Sequence, residues 1–325
     1  MTSVWQEGIV FSSTCKILLL ATLPLINGCL EQSSFGSASN EDSTSGDSSS
    51  VDDQNSEYWL SAMTVNAEWL WDFDNTIDGE VMDAGDIPTV AEYSAEITYF
   101  SDLIVQKDAN LVALQEIEGC HILDDFIEEL ATTGWFSICM SGRDTYTGQD
   151  VGILSRFPVV YGPTTFADSS GEYEETSVIP TKVVGAVVNT PEGNLAIITS
   201  HFLSKANPAN DDRRAAQADA IFNNFNTLHQ REGVTHGIVL GDFNDTPASV
   251  PLTILTSSGV LKNTLYANAR VPTAADCSYT FSGNCELIDH LLITDSLAGG
   301  EFRIVQTDQR YTDHRAVHYR LKAEQ

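Results

Sequence analysis

The chain has 325 residues, 42% of them hydrophobic, which is enough for one large domain or two small ones with a full core. Its 16 Lys and Arg stand against 46 Asp and Glu, a formal net charge of −30. That balance excludes a nucleic-acid binder that works through a basic face, and any polyanionic substrate has to be held locally, by a few cations or a bound metal ion.

Residues 1–29 read as an export signal. Lys16 precedes an apolar run from Ile17 to Ile26 that is too short to span a bilayer comfortably. The run passes into Leu25-Ile26-Asn27-Gly28-Cys29, which resembles the lipobox of bacterial lipoproteins. The resemblance implies acylation of Cys29 and anchoring to a membrane. Asn27 departs from the usual pattern, and the alternative is an ordinary cleaved signal. Residues 30–57 are rich in Ser, Gly, Asp, Asn and Glu and have almost no large apolar side chains, so they are expected to form a disordered tether.

From residue 58 to 325 the pattern is that of a folded domain. Residues 62–66 read as a strand. Residues 93–106 place Ile97, Phe100, Leu103 and Ile104 at helical spacing. Residues 111–115 form a short apolar run of buried-strand type, and 123–132 read as a helix. Residues 151–155, 182–190 and 195–200 read as strands. Residues 211–230 predict a helix with Ala218, Ile221, Phe222, Phe225 and Leu228 on one face. Further strands are expected at 237–240, 287–293 and 317–321. Mixed strands and helices with adjacent strand pairs predict an α/β arrangement with more than one sheet.

Of the six cysteines, Cys15 lies in the signal and Cys29 in the lipobox. Cys120, Cys139, Cys277 and Cys285 remain, an even number in a chain expected to be exported. Cys277 and Cys285 flank a turn and are paired on that ground, which leaves Cys120 with Cys139. Zinc binding by these cysteines is disfavoured because no CxxC pair occurs.

Polar residues recur at the ends of the expected strands: Asn66, Glu116, His201, Asp242 with Asn244, Asp289 with His290, and Asp313 with His314. Ligands bind outside strand ends in layered α/β folds. Carboxylates and an amide oxygen are hard ligands suited to Mg²⁺, Mn²⁺ or Ca²⁺, and a histidine can contact or protonate a phosphate ester.

Around these residues stand Val65-Asn66-Ala67-Glu68-Trp69-Leu70-Trp71-Asp72, Leu114-Gln115-Glu116-Ile117, Gly152-Ile153-Leu154-Ser155-Arg156-Phe157-Pro158, Ser200-His201-Phe202, Gly241-Asp242-Phe243-Asn244, Ile288-Asp289-His290 and Thr312-Asp313-His314. In this order, over roughly residues 60–321, they resemble the endonuclease/exonuclease/phosphatase superfamily, which includes deoxyribonuclease I, inositol polyphosphate phosphatases and bacterial sphingomyelinases. The resemblance implies a four-layer sandwich of two packed β-sheets flanked by helices. It implies metal binding by Glu116, with Asn66 and Asp313 completing the site. Asp242 would orient or deprotonate water, and Asn244 would hold that water or the phosphate. His314 would contact the scissile phosphate, oriented by Asp289, and His201 aligns with the histidine that protonates the leaving group in the deoxyribonuclease I branch. No acidic partner for His201 is evident.

The expected activity is metal-dependent phosphodiester hydrolysis, with a nucleic acid as the leading substrate and Mg²⁺ as the leading ion. The rival readings are a sphingomyelinase-type lipid phosphodiesterase or other phosphatase and, from a different class, a non-catalytic binding protein of the same fold. The enzyme is expected to act as a monomer. Arg213 and Arg214 start the long helix and are candidates to hold phosphate or to face solvent. Asp72 and Asp74 are candidates to extend the metal site or to lie in a solvated loop. His290 is read as structural, His121 is given no role, and Trp59, Trp69, Trp71 and Trp135 are read as core. Cys29→Ser should release the protein from the membrane fraction or block its processing; a soluble wild-type protein with an unmodified Cys29 would refute the anchor.

Overall fold

The computed structural model describes residues 57–74 and 87–323, apart from residues 132, 143, 145, 146 and 282. The residues expected to form the export signal and the tether, Cys29 among them, lie outside the described residues except for Glu57, which accepts from Lys322. The first sheet and its helices come from β1 (Tyr58–Leu70), α1 (Val90–Gln106), β2 (Leu111–Ile117), α2 (Cys120–Glu129), β3 (Phe136–Ile138) and β4 (Asp150–Ser155). Then follow β5 (Val159–Thr164), the short β6 (Gly171–Tyr173) and β7 (Thr176–Val178), β8 (Val183–Thr190) and β9 (Gly193–His201). Next come α3 (Asp211–His229), β10 (Val234–Asp242), α4 (Val250–Thr256) and β11 (Lys262–Asn263). The chain closes with β12 (Tyr279–Phe281), β13 (Asn284–Glu286), β14 (Asp289–Ile293), β15 (Glu301–Val305) and β16 (Ala316–Lys322).

Two six-stranded sheets result, in the orders β15-β16-β1-β2-β4-β3 and β11-β14-β10-β9-β8-β5. At the centre of each, one pair is parallel: β1 with β2, and β9 with β10. Three apolar clusters define four layers. Leu60, Ala62, Leu111, Ala113, Ile197, Ile238, Leu240 and Leu291 pack between the sheets. Met63, Val65, Phe100, Ile104, Val112, Leu114 and Phe126 join the first sheet to α1 and α2. Ile198, Phe225, Val239, Leu252 and Leu292 join the second to α3 and α4.

The two-residue period of a strand places the site. Along the face between the sheets β1 reads Leu60, Ala62, Thr64, Asn66, and β2 reads Leu111, Ala113, Gln115. On the other sheet β9 reads Leu195, Ile197, Thr199, His201, and β10 reads Ile238, Leu240, Asp242. Each row turns from apolar to polar toward the same end. Where the change occurs, Thr64 Oγ1 donates to Gln115 Oε1 (3.2 Å) and Gln115 Nε2 donates to Thr199 Oγ1 (3.1 Å), a buried polar link between the sheets. Buried polar groups are tolerated when they are paired in this way.

The sequence-predicted elements all occur, with shifted ends. The second helix begins at Cys120 rather than 123, because Gly119 leaves β2 in an extended conformation and the helix starts at once. The strand expected at 287–293 begins at Asp289. Strands β3, β5, β11 to β13 and β15, and helix α4, are short and were not expected. Disulfides join Cys120 to Cys139 and Cys277 to Cys285. Among the described residues no helix is long and apolar enough to cross a membrane.

Gly241 precedes Asp242 in a φ of +150°, and a Cβ there would collide with the backbone carbonyl of Ser200 on the neighbouring parallel strand. Gly241→Ala should therefore cost about 3 kcal/mol, as a misfit in a packed interior does. A shift of the urea midpoint well below wild type is expected; an unchanged midpoint would show that β9 and β10 can separate freely here.

Candidate active site

The polar ends of β1, β2, β9 and β10 meet with the start of β14 and the loop before β16. Strand alternation alone would send Glu116 toward the helices, with Leu114. Glu116 instead takes a φ of +60°, and the β2–β4 register slips between Gln115 and Ile117. This bulge swings its carboxylate to Asn66, the use to which bulges are put beside functional sites. Glu68, Trp69 and Asn244 also have positive φ, at +48°, +60° and +51°. Such residues gather where surrounding structure over-determines the backbone.

Asn66 is fully buried and its amide is committed on both sides. Nδ2 donates to Glu116 Oε1 (3.0 Å) and to Asp242 Oδ2 (3.1 Å), while Oδ1 accepts from Glu68 N (2.9 Å). Asn66, expected as a metal ligand, here presents its NH₂ to two carboxylates and its oxygen to a backbone N–H. Asn244 N donates to Asp242 Oδ1 (2.8 Å), and Asn244 Nδ2 contacts Phe202 O (3.1 Å) and His201 Nε2 (3.2 Å). His314 Nδ1 lies 2.8 Å from Asp289 Oδ2, and its Nε2 lies 3.9 Å from Asp242 Oδ2 and 3.7 Å from Asp313 Oδ1. Tyr279 packs on the imidazole with ring centroids 4.7 Å apart.

Two residues outside the expected set hold this loop. Thr312 Oγ1 donates to Asn66 O (2.8 Å) and accepts from His314 N (2.9 Å). Glu68 Oε2 accepts from Asp313 N (2.6 Å). Their sequence signal was slight: each sits in a quoted motif, but neither type stands out at a strand end. Trp69, on the same turn as Glu68, is half exposed, against its reading as core; Trp71 is buried as expected.

The electrostatics separate the two histidines. Burial opposes charge on His314, but Asp289, by charge and hydrogen bond, with Asp242 and Asp313 behind it, raises its pKa to about 10. His201 is driven well below the ordinary value, first by burial and then by Lys182 and His314. Its Nε2 faces Asp242 (3.5 Å) and Glu116 (3.7 Å), and its Nδ1 has no hydrogen-bond partner among the described residues. The surroundings of His201, expected as the leaving-group acid, thus disfavour its charged form, in contrast to those of His314. Asp242 is pushed above the usual carboxylate range by burial first and by Asp289 next, against the pull of His314, Asn244 and Asn66.

The neighbouring cations are already paired. Arg214 is buried, donating to Asp245 Oδ2 (3.0 Å), Asp211 Oδ1 (2.7 Å) and Ser204 O (3.4 Å). It braces the loop after Asp242, neither facing solvent nor free to hold phosphate, the two alternatives that the sequence offers. Arg213 faces solvent and bonds Asn210 (3.1 Å). Lys205 pairs with Glu286, and Lys182 with Asp144 (3.0 Å). His290 bonds Asp245 O (2.8 Å) and Asn263 Nδ2 (3.0 Å), a structural position as read. Asp72 lies neither in this cluster nor free in solvent; it pairs with His121 (3.1 Å).

Glu116, Asp242, Asp289 and Asp313 crowd acidic oxygen around one cationic imidazole. Candidate ligand atoms of Asp242, Asp289 and His314 lie within 4.8 Å of one another, and the buried Asp289 Oδ1 has no hydrogen-bond partner among the described residues. This oxygen-rich set fits a hard divalent cation.

Residues 63–314 match the Endonuclease/Exonuclease/phosphatase family. The chain belongs to that family. Its members are phosphoester hydrolases that are generally dependent on a divalent metal, and so is this chain a phosphoester hydrolase. A family protein of Bacteroides vulgatus is 18% identical, with a TM-score of 0.57 over 82% of this chain and 99% of that one. The catalytic domain of human Nocturnin, solved with a bound sulfate anion, is 14% identical, with a TM-score of 0.55 over 80% and 93%. A mannosyl-6-phosphatase of Bacteroides thetaiotaomicron is 17% identical, with a TM-score of 0.52 over 80% and 98%. These likenesses bear out the four-layer fold. No curated protein sequence matches the chain.

His314→Ala should lower kcat roughly 10²-fold or more with a smaller change in KM, because its contact strengthens as charge builds on the phosphate. Asp289→Asn should follow in the same direction, since the imidazole loses the partner that keeps it cationic. His201→Ala should cost less than His314→Ala on an unactivated ester. Steady-state rates on an alkyl and an aryl phosphodiester check this; a larger loss at His201 on the alkyl ester alone would return the acid role to it.

Proposed function

We propose that the chain is an exported, metal-dependent phosphodiesterase that cleaves nucleic acid through few phosphate contacts. The observation that carries this reading is the junction of Glu116, Asp242, Asn244, Asp289 and His314 at one end of the two sheets. Glu116 and Asp313 would hold a divalent cation, Mg²⁺ or Mn²⁺ by the chemistry of their oxygens, with Asn66 orienting Glu116. Such an ion polarises a phosphoryl oxygen and offsets negative charge on it.

The protein's own groups supply the rest. Asp242, held by Asn66 and Asn244 and raised by burial, accepts the proton of the attacking water. Asn244 keeps that carboxylate turned toward the cleft. His314 carries a proton at neutral pH, with Nδ1 fixed by Asp289 and Nε2 free to donate to a phosphate oxygen. Of the two histidines it is the better placed source for the leaving oxygen. Trp69, next in sequence to the Glu68 that holds Asp313 N, offers an exposed ring on which a base or a sugar can rest.

The two disulfides support export, since such bonds persist in oxidising compartments. A lipid anchor at Cys29 followed by the 30–57 tether would hold the enzyme at a membrane surface. A second reading, a phosphomonoesterase on a small sugar phosphate, is favoured by the pairing of Lys182, Lys205 and Arg214 with acids. An extended polyanion would want those cations free.

The test is a substrate panel at fixed Mg²⁺: plasmid DNA, RNA, sphingomyelin, a sugar phosphate and an aryl diester. EDTA should abolish hydrolysis, and Mg²⁺ or Mn²⁺ should restore it. Each phosphate neutralised adds about −0.9 to the slope of log affinity against log salt on duplex DNA, so few contacts give a shallow fall. Very low salt should not help, because repulsion by the acidic surface is then least screened. Turnover of the sugar phosphate without DNA cleavage would favour the second reading, and full activity in chelator would sink the metal-assisted mechanism.

A further inference from the structure

Asp72, Glu118 and His121 form a group of their own, distinct from the one around Asp242. Asp72 follows β1, Glu118 follows β2, and His121 lies in the first turn of α2. The backbone holds them in place. Glu118 N donates to Leu70 O (3.0 Å), Asp72 N donates to Glu118 Oε2 (2.7 Å), and Asp74 N donates to Asp72 Oδ1 (2.7 Å). The Cys120–Cys139 disulfide fixes the residue next to His121.

Asp72 Oδ2, Glu118 Oε1 and His121 Nε2 are left over from this backbone network. Asp72 Oδ2 and His121 Nε2 are 3.1 Å apart, and candidate ligand atoms from all three residues lie within 4.8 Å of one another. Two ligands at ordinary distances from a tetrahedral zinc ion stand about 3.3 Å apart, so the pair is already near that spacing.

Glu118 decides between an ordinary ion pair and a ligand site. Its side chain is 0% exposed, and Oε1 has no hydrogen-bond partner among the described residues. A protonated His121 would satisfy Asp72 and leave this buried oxygen bare, a costly arrangement for a carboxylate. His121 is half exposed, which gives an ion a path in from solvent.

We infer that Asp72, Glu118 and His121 bind a divalent transition-metal ion, with one imidazole and two carboxylates as ligands and zinc the best match. The imidazole disfavours Mg²⁺ and Ca²⁺, which separates this site from the oxygen-rich centre at Glu116. The ion ties the turn after Glu68 and Trp69 to the corner where β2 passes into α2. It acts as a cross-link between segments that flank the catalytic centre.

The test is metal analysis of the full chain in a Glu116→Ala background, which weakens the catalytic ion. After loading with Zn²⁺ and dialysis, one equivalent should remain, and the unfolding midpoint should rise with zinc. Adding His121→Ala should remove both the equivalent and the shift; Asp72→Asn is the second variant if the first folds poorly. In the wild-type protein the His121 Nε2 resonance should move on addition of Zn²⁺. Equal zinc content with and without His121 and Asp72, or an unmoved His121 resonance, would overturn the site.

Discussion

The side-chain amide of Asn66 joins the two sheets at the point where their negative charge is greatest. One NH₂ group serves Glu116 from its own sheet and Asp242 from the other. Asp289 stands beneath them and His314 provides the nearest positive charge. Carboxylates this close in a dry interior repel one another strongly, and they stay together only where donors and cations compensate them. Asn66, the backbone N–H of Asn244 and the His314 imidazolium give part of that compensation. The oxygen-rich remainder is what makes the site receptive to a metal ion.

Beneath this layer the core is built so that the site cannot drift. The Thr64–Gln115–Thr199 link crosses between the sheets one step below the catalytic carboxylates. Below it the same strand faces are wholly apolar. A slip of one residue in any central strand would exchange its two rows, mispack both apolar clusters that they fill and turn its polar end residue away from the site. The register that buries the core is the register that aims Asn66, His201 and Asp242.

Much of this was legible in the sequence because it is periodic. The apolar runs ending in Asn66, Gln115-Glu116, His201 and Asp242 gave both the strands and the ends that matter. Short elements such as β11, β15 and α4 carried too few residues to show a period. Three of the expected site residues have surroundings that no linear pattern carries. Arg214 looked available at a helix start, but the fold buries it against Asp245 and Asp211. Asn66 reads as a ligand, and the fold sets its amide between two carboxylates with its oxygen on the Glu68 N–H. His201 reads as an acid, and burial beside Lys182 and His314 opposes its charged form. Glu116 faces the site only through a backbone bulge, a feature that its residue type does not announce.

The catalytic centre is assembled almost wholly from long-range contacts. Asn66 and Asp242 are separated by 176 residues, and Thr312 bonds Asn66 across 246. Fast-forming local structure such as α1 or α3 contributes none of the residues that touch the reacting atoms. Contacts of such sequence separation form late, after loop closure has been overcome. The hydrolytic centre is therefore complete only when β16, the strand after His314, closes onto β1. A chain truncated before residue 312 would lack His314 and the strand that pairs with β1, so the last few per cent of the sequence decide whether the centre exists at all.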